Sequence, residues 1–206
     1  SLGGYEIVKL LTVSKTVSTM AINAFEGWLV DMLAEDIARV IENYLVNGTG
    51  SSQPQGVETA GTWDSTNSVT VAAASSLTAA NVQALIGLLP GGYDRNAKFL
   101  MSKKTLFTDF MPLQDNSKSN IVRSEGNTYH IYGYPVLLSD YVTAHEAYLG
   151  DFKKIVGNLS QNITVDASVE SGFRSNSIDY RGAAIFDSKV ALGEAFVKLV
   201  KTVSGS

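Results

Sequence analysis

Residues 47–57 read NGTGSSQPQGV and directly follow a long amphipathic segment, residues 23–46. Glycine tolerates backbone angles that end a helix, and proline cannot donate the hydrogen bond that would continue one. The stretch combines both residue types in the order Gly48, Thr49, Gly50, Pro54 and Gly56. It therefore predicts a long helix that ends in a sharp corner. A phosphate-binding Walker loop is disfavoured, because such a loop precedes a helix and carries a lysine, whereas this one follows a helix and has none.

The segment before the corner predicts one helix over residues 23–46. Large apolar residues recur there at three- and four-residue spacing. They are Ile22, Phe25, Trp28, Leu29, Met32, Leu33, Ile37, Val40, Ile41, Tyr44 and Leu45. Asn23, with Glu26 three residues later, predicts a helix cap. The acidic residues between the apolar positions predict a solvated or intersubunit face rather than a catalytic pair (Asp31, Glu35, Asp36 and Glu42). At 1.5 Å per residue the helix is about 35 Å long, which suits a structural spine.

The remaining pattern predicts an α+β protein with mostly antiparallel pairing. A strand is expected before the helix, over residues 5–14. Two further helices are expected over residues 79–89, after Thr78, and from Ser102 to residue 110. Strands are expected over residues 98–101, 129–138 (interrupted near Gly133), 147–149, 163–169, 177–187 and 195–200.

Composition narrows the class of protein. The 206 residues suffice for one sizeable domain or two interleaved lobes. A net charge of −4 argues against general binding to nucleic acid, which usually needs a basic surface. With no cysteine, the chain has no disulfide, thiolate metal site or cysteine nucleophile. No stretch reaches the length of about 20 apolar residues that a membrane helix needs.

The residues that could carry chemistry do not form a recognisable site. The two histidines, His130 and His145, lack a partner at helical spacing, so a packed or solvated role is expected for each. The nucleophile elbow of hydrolases, Gly-x-Ser-x-Gly, is missing from the sequence. The lysine pairs at 103–104 and 153–154 predict ordinary surface. We therefore expect no catalytic, cofactor-binding or metal-binding residues, and no cofactor.

Taken in order, these pieces resemble tailed-bacteriophage major capsid proteins of the Hong Kong 97-type fold over almost the whole chain. Five short motifs carry the resemblance. They are the corner (Gly48, Thr49, Gly50, Pro54, Gly56), a Gly-x-Pro-Val strand turn (Gly133, Pro135, Val136), Gly150-Asp151-Phe152, Phe173 with Asn176, and Ala195-Phe196-Val197. Each motif alone is unspecific, but their order and spacing are those of the family.

The resemblance implies a fold with a long spine helix, a peripheral lobe and an axial lobe. Residues 1–60 and 158–192 would form the peripheral lobe, and residues 61–157 and 193–206 the axial lobe. The implied function is structural: a non-enzymatic shell subunit of a tailed phage or prophage that forms pentamers and hexamers around DNA. Loops near residues 90–94 and 114–127 would meet at the ring axis.

The same resemblance implies partners and a location. A scaffold or protease, a portal and decoration proteins would join the shell, packaged DNA would be held only loosely, and no membrane would be involved. The shell would assemble in the bacterial cytoplasm and become the virion capsid. The chain begins in strand-like sequence without an initiator Met, which predicts a fragment or processed product lacking the N-terminal arm and most of the extended loop.

Some relatives join their subunits through an isopeptide bond between a lysine and an asparagine. Asn176 falls at the asparagine position, so it marks a possible crosslink site. The family places the carboxylate that accepts the proton seven residues further on, where this chain has Ala183. A polar residue on the β-ribbon is therefore the expected role of Asn176.

Two alternatives to a phage capsid remain open from the sequence. An encapsulin-type compartment protein shares the implied fold but encloses enzymes instead of DNA. A small hydrolase or ligand-binding domain would need a deep pocket with converging polar groups.

Overall fold

The computed structural model describes residues 3–15, 22–115 and 117–203. The strands are β1 (Tyr5–Ser14), β2 (Ser68–Val71), β3 (Lys98–Met101), β4 (Val122–Glu125), β5 (Thr128–Ile131), β6 (Tyr134–Leu138), β7 (Glu146–Gly150), β8 (Ile155–Ser168), β9 (Ser177–Val190) and β10 (Phe196–Lys201). The helices are α1 (Ile22–Asn47), α2 (Ala79–Leu88) and α3 (Lys103–Thr105), the last continuing as π-helical turns over Leu106–Phe110. The α+β class with mostly antiparallel pairing is confirmed.

The chain divides into two compact units. Unit 1 consists of Ser1–Gly56 and Gly157–Lys189, and unit 2 of Val57–Val156 and Val190–Ser206. Each unit therefore combines segments that are distant in sequence.

Unit 1 packs helix α1 on a three-stranded sheet of order β1-β9-β8, in which β1 and β9 are antiparallel. The buried face of α1 is the stripe Leu29, Leu33 and Ile37, each without exposed surface. These residues contact Tyr180, Ala184 and Phe186 of β9 and Ile7 of β1. Burying such side chains contributes about 1.5–3 kcal/mol each, which is what holds the helix on the sheet.

The predicted spine helix is confirmed, with bounds one residue wider at each end. The predicted cap at Asn23 is wrong, because Ile22 and Asn23 already belong to the helix; the side chains of Asn23 and Glu26 lie outside the described residues. Trp28 and Val40, predicted on the apolar face, are 58% and 37% exposed. The buried stripe is narrower than the sequence pattern because the sheet covers only one side of α1.

Unit 2 is built around a seven-stranded sheet of order β2-β10-β7-β3-β6-β5-β4. The pairs β10–β2 and β3–β6 are parallel, and the other pairs are antiparallel. Helix α2 begins at a capping box in which the Thr78 side chain accepts from the Asn81 backbone and the Asn81 side chain accepts in return. The core joins α2, α3 and the sheet through Val82, Leu85, Phe99, Phe110 and Leu149.

Three strand predictions need correction. Residues 68–71, where no strand was predicted, form β2, and residues 122–125, within the loop expected near residues 114–127, form β4. The ribbon strand predicted over residues 163–169 begins earlier, at Ile155. Its first half, rich in Gly, Asn and Ser, shows little apolar alternation because most of its side chains are exposed on both faces.

Candidate assembly surfaces and buried charge clusters

Gly48 and Gly56 close the corner that ends helix α1. The Gly48 amide donates to the Tyr44 carbonyl (2.9 Å), and the Gly56 amide donates to the Gly48 carbonyl (2.8 Å). A Cβ on Gly48 would lie 2.2 Å from the Pro54 carbonyl oxygen, and one on Gly56 would lie 2.5 Å from that of Tyr44. Both positions therefore require glycine, because the backbone segments touch.

The tip of the corner is held by its own hydrogen bonds. Thr49 and Gln55 form an isolated antiparallel bridge, and the Gly50 amide donates to the Pro54 carbonyl (3.1 Å). Gly50 has φ of +73°, a left-handed conformation that favours glycine. The Thr49 hydroxyl accepts from the Gln53 amide nitrogen Nε2 (2.7 Å). The five corner residues singled out in the sequence thus share one rigid turn.

This corner is tethered to strand β9. The Gln55 amide donates to the Ser188 carbonyl (2.9 Å), and the Ser188 hydroxyl donates to the Gln55 carbonyl (2.8 Å). A polar cleft of about 420 Å³ lies beside it, lined in part by Gln53, Asp187 and Lys189. The corner presents a fixed polar surface at the end of the spine helix.

The Gly150-Asp151-Phe152 motif ends strand β7 in unit 2. A Cβ on Gly150 would lie 2.4 Å from the Ala195 carbonyl oxygen. The buried Asp151 side chain accepts from the Lys153 amide (3.1 Å) and caps the 3₁₀ turn Phe152–Lys154. Phe152 packs edge-on against Phe196, with ring centroids 5.4 Å apart. The glycine thus permits a close backbone approach, the aspartate caps the turn, and the phenylalanine packs against the sheet.

Gly133 lies in the tight turn between β5 and β6, and Pro135 lies just after the turn in β6. Tyr132 and Gly133 both have positive φ, +50° and +90°, as a two-residue hairpin turn of the primed type requires. Pro135 lies opposite His130 in the β5–β6 pair. Tyr134 is the first residue of β6, and its hydroxyl donates to Asp94. Burial and this contact with Asp94 raise the pKa of Tyr134 to about 12.

A charge cluster around Lys198 lies inside unit 2. The Lys198 ammonium is 2.9 Å from both Glu58 carboxylate oxygens and 2.9 Å from Glu146 Oε2, and the side chain is 6% exposed. The Tyr148 hydroxyl also donates to Glu58, and burial with these carboxylates raises the pKa of Tyr148. Sequence reasoning missed this cluster, because Glu58 and Lys198 lie far apart in the chain and belong to no motif.

A second cluster surrounds the buried carboxylate of Asp109. His145 Nδ1 lies 2.7 Å from Asp109 Oδ2, and the Lys201 ammonium lies 3.0 Å from Oδ1. The His145 amide donates to the Thr105 hydroxyl (2.9 Å), which fixes the loop before β7. A packed or solvated role was predicted for each histidine, and His145 is packed against Asp109 and Thr105. Among the described residues, His130 has a buried Nδ1 without a hydrogen-bond partner.

The tip of the β8–β9 ribbon is exposed. Phe173 is 80% exposed, and Asn176 is an exposed residue with left-handed backbone angles, φ 50° and ψ 48°. The Asn176 carbonyl accepts from the Lys15 amide (2.9 Å). Ala183, seven residues further along β9, is buried.

Two of the acidic residues on α1 form ion pairs. Glu35 and Asp36 pair with Arg39 of the same helix, and Asp36 also pairs with Lys9 of β1 (3.2 Å).

Residues 3–15, 22–115 and 117–203 bring together no group of three His, Asp or Glu side chains placed to hold a metal ion. Over the same residues, no helix has the length and apolarity that crossing a membrane requires.

The long helix on a β-ribbon, the mixed sheet of unit 2 and the stiff motif turns define a structural protein of the Hong Kong 97-type fold. A family model described as the phage capsid family matches residues 1–201. The chain therefore belongs to the phage capsid family, and it is a capsid shell subunit. A comparison with curated proteins finds no significant sequence match.

Solved capsid structures share this fold. The chain matches the capsid of a native GTA particle with a TM-score of 0.78 and 20% identity, covering 99% of this chain and 74% of that one. It matches Mycobacterium phage Bobi with a TM-score of 0.72 and 16% identity, and the match covers 98% of this chain and 73% of the phage chain. It also matches an encapsulin from Synechococcus elongatus PCC 7942 with a TM-score of 0.65 and 14% identity, covering 98% and 77%.

Proposed function

We propose that this chain is the major head subunit of a tailed phage or prophage and assembles through five- and six-membered rings into an icosahedral shell around DNA. The match of the phage capsid family to residues 1–201 carries this proposal. A similar chain forms a GTA capsid whose structure was computed with fivefold symmetry, which supports the ring geometry.

Ring formation requires heterologous contacts, in which unlike patches of neighbouring copies meet. We assign unit 2 to the axial lobe and unit 1 to the peripheral lobe, near the predicted boundaries of residues 61–157 with 193–206 and 1–60 with 158–192. The loops at residues 90–94 and 114–127 then meet neighbouring copies at the ring axis. The glycines of the sequence motifs and the side chains that cap turns support ring formation, because they hold the contact surfaces in fixed positions.

The shell role needs no catalysis, and we assign none to this chain. The net charge of −4 suits an inner wall that does not bind DNA tightly. A scaffold or protease, a portal and decoration proteins are the expected partners, and assembly takes place in the bacterial cytoplasm. Asn176 serves the ribbon turn rather than a crosslink, since Ala183 offers no carboxylate where the chemistry needs one.

An encapsulin-type compartment is the second candidate, favoured by the structural match to an encapsulin. The two functions differ in what the shell encloses. Particles purified from the native host that contain DNA support the phage role, whereas particles filled with an enzyme support the compartment role.

Electron microscopy and light scattering on the protein expressed from its complete gene test the proposal. Closed shells, or rings of five and six copies, are the expected result. A folded protein that stays monomeric at high concentration, even when co-expressed with its neighbouring head genes, would contradict it.

A further inference from the structure

A cleft in unit 2 that is lined by cationic side chains has no role in the fold described so far. It has a volume of about 470 Å³, and its lining includes the cations Arg95, Lys98 and Lys153 and the carboxylate residue Asp151. Its apolar lining includes Pro135, Leu137 and Phe152, and Leu137 remains 38% exposed. We refer to these residues as the cationic cleft.

The three cations of this cleft lack ion pairs within the part of the chain that the structure describes. The Lys153 ammonium lies 3.1 Å from Asn96 Oδ1, a neutral oxygen that orients the charge without neutralising it. Arg95, Lys98 and Lys153 are all exposed. Three cations against one carboxylate, that of Asp151, leave the lining net positive, which favours an anionic occupant.

Three carboxylates of unit 2 accept hydrogen bonds from other groups. Asp94 accepts from the Tyr134 hydroxyl, and Glu194 accepts from the Tyr93 hydroxyl. Asp151 is buried and accepts from the Lys153 backbone amide rather than from its ammonium. Among the described residues no carboxylate forms an ion pair with the three cations, so the carboxylate of a partner can do so.

We propose that the cationic cleft receives an acidic segment of a second copy of this chain and so forms part of the contact between neighbouring shell subunits. This inference rests on the proposed function and names a surface that performs it. The apolar lining residues favour a peptide over a bare phosphate backbone. An apolar side chain of the partner can cover Leu137 while a carboxylate of the same segment contacts the cations. The chain supplies such partners, since acidic residues outnumber basic ones by 20 to 16.

The charge of the cleft also determines the type of contact. Two copies that met cleft to cleft would bring six positive charges together, which disfavours a twofold, self-complementary dimer. A contact between this cleft and an acidic patch elsewhere on the neighbour is heterologous, as closed rings require.

Zero-length carbodiimide crosslinking tests the contact without altering the chain. A carbodiimide activates a carboxylate, which the lysine amine attacks to form an amide as the urea by-product leaves. Shells assembled from an equal mixture of ¹⁴N and ¹⁵N subunits are crosslinked and analysed by mass spectrometry. Peptides with Lys98 or Lys153 joined to a carboxylate of the other isotope are expected, and they identify the acidic segment. Mixed-isotope links from other lysines, with none from these two, would overturn the inference.

Charge reversal gives an independent measurement. Arg95→Glu and Lys98→Glu are each expected to lower the yield of assembled shells at least tenfold while the circular dichroism of the soluble subunit stays unchanged. Lys104→Glu, the same charge change at an exposed lysine outside the cleft, serves as the matched control and should assemble normally.

The other outcomes are distinguishable. Cleft variants that assemble as well as Lys104→Glu would overturn the inference while leaving the proposed function intact. Normal shells that retain less DNA would also overturn it and would assign the cleft to a phosphate backbone. Failure of the unaltered protein to form shells or rings would overturn the proposed function itself, and this inference with it.

Discussion

Gly150 lies directly opposite Phe196 in the antiparallel pair of β7 and β10, and a Cβ on Gly150 would lie 2.5 Å from Phe196 Cδ1. The same Cβ would meet the backbone oxygen of Ala195 at 2.4 Å, so side-chain movement alone cannot make room. The glycine of the Gly-Asp-Phe motif is therefore required by packing, and not by an unusual backbone angle.

Gly150→Ala is expected to destabilise the protein by about 1–3 kcal/mol, the usual cost of overpacking a core. Gly87→Ala is the control, because a Cβ there has no atom within 4 Å and Gly87 lies inside helix α2. In that position alanine should stabilise the helix by up to about 1 kcal/mol. Urea unfolding of both variants measures the difference. Equal stability of the two would contradict the packing argument.

Lys198→Met is expected to destabilise unit 2 by about 3 kcal/mol, because it leaves Glu58 and Glu146 side by side without their cation. The variant that adds Glu58→Gln and Glu146→Gln removes the unpaired charges and should recover much of that loss. Thermal and urea unfolding of both variants provide the comparison. A triple variant less stable than Lys198→Met would show that hydrogen bonds, rather than charge balance, hold the cluster together.

The sequence identified those parts of the fold that depend on local pattern. Helix α1 was predicted within one residue at each end, since its apolar periodicity and the glycines after it are both local signals. The structure gives a physical reason for several motif residues, among them Gly48, Gly56, Gly150, Asp151 and Phe152.

Other features depend on contacts between distant residues and left no local signal. The Lys198 cluster joins Glu58, Glu146 and Tyr148 from separate segments. The first half of β8 was missed because an exposed strand need not alternate apolar and polar residues. The cationic cleft likewise combines residues from three separate segments: Arg95 and Lys98, Pro135 and Leu137, and Phe152 and Lys153. The lysine pair at 153–154 had predicted ordinary surface, and Lys153 lines the cleft.

Tyr134→Phe is expected to change how stability depends on pH. The pKa of Tyr134 is about 12 in the folded protein, against about 10 for tyrosine in an unfolded chain. The folded state therefore retains the proton more strongly, and this contribution is complete below pH about 10 and is lost as pH rises towards about 12. Because the residue is partly exposed, solvent screening reduces the effect.

Urea unfolding between pH 8 and 11 tests this dependence. The unaltered protein should lose stability above pH about 10 more steeply than Tyr134→Phe does. Ultraviolet titration at the tyrosinate band should lose one late-titrating group in the variant. Parallel curves for the two proteins would contradict the assignment.

The loop at residues 114–120 allows the ring-axis proposal to be tested without disturbing the core. Gln114 and Asn120 form an isolated bridge, so the loop leaves and re-enters the fold at neighbouring positions. Between them, the Asp115 carboxylate accepts from the Ser117 and Ser119 amides (2.8 and 2.9 Å), which makes the turn self-contained. Residue 116 lies outside the described residues.

Replacing residues 115–119 with a single glycine should therefore leave the subunit folded, with a change in unfolding free energy of about 1 kcal/mol or less. Ring formation should weaken, because the proposed axial contact is removed from every copy at once. Light scattering and electron microscopy of the shortened and unaltered proteins, each from its complete gene, measure assembly. A second shortened loop at an exposed site outside the proposed axial loops, lacking Ala73 and Ala74 after β2, controls for loop deletion in general. Normal rings from the 115–119 variant would place the axial contact elsewhere in unit 2, with residues 90–94 as the next surface to alter.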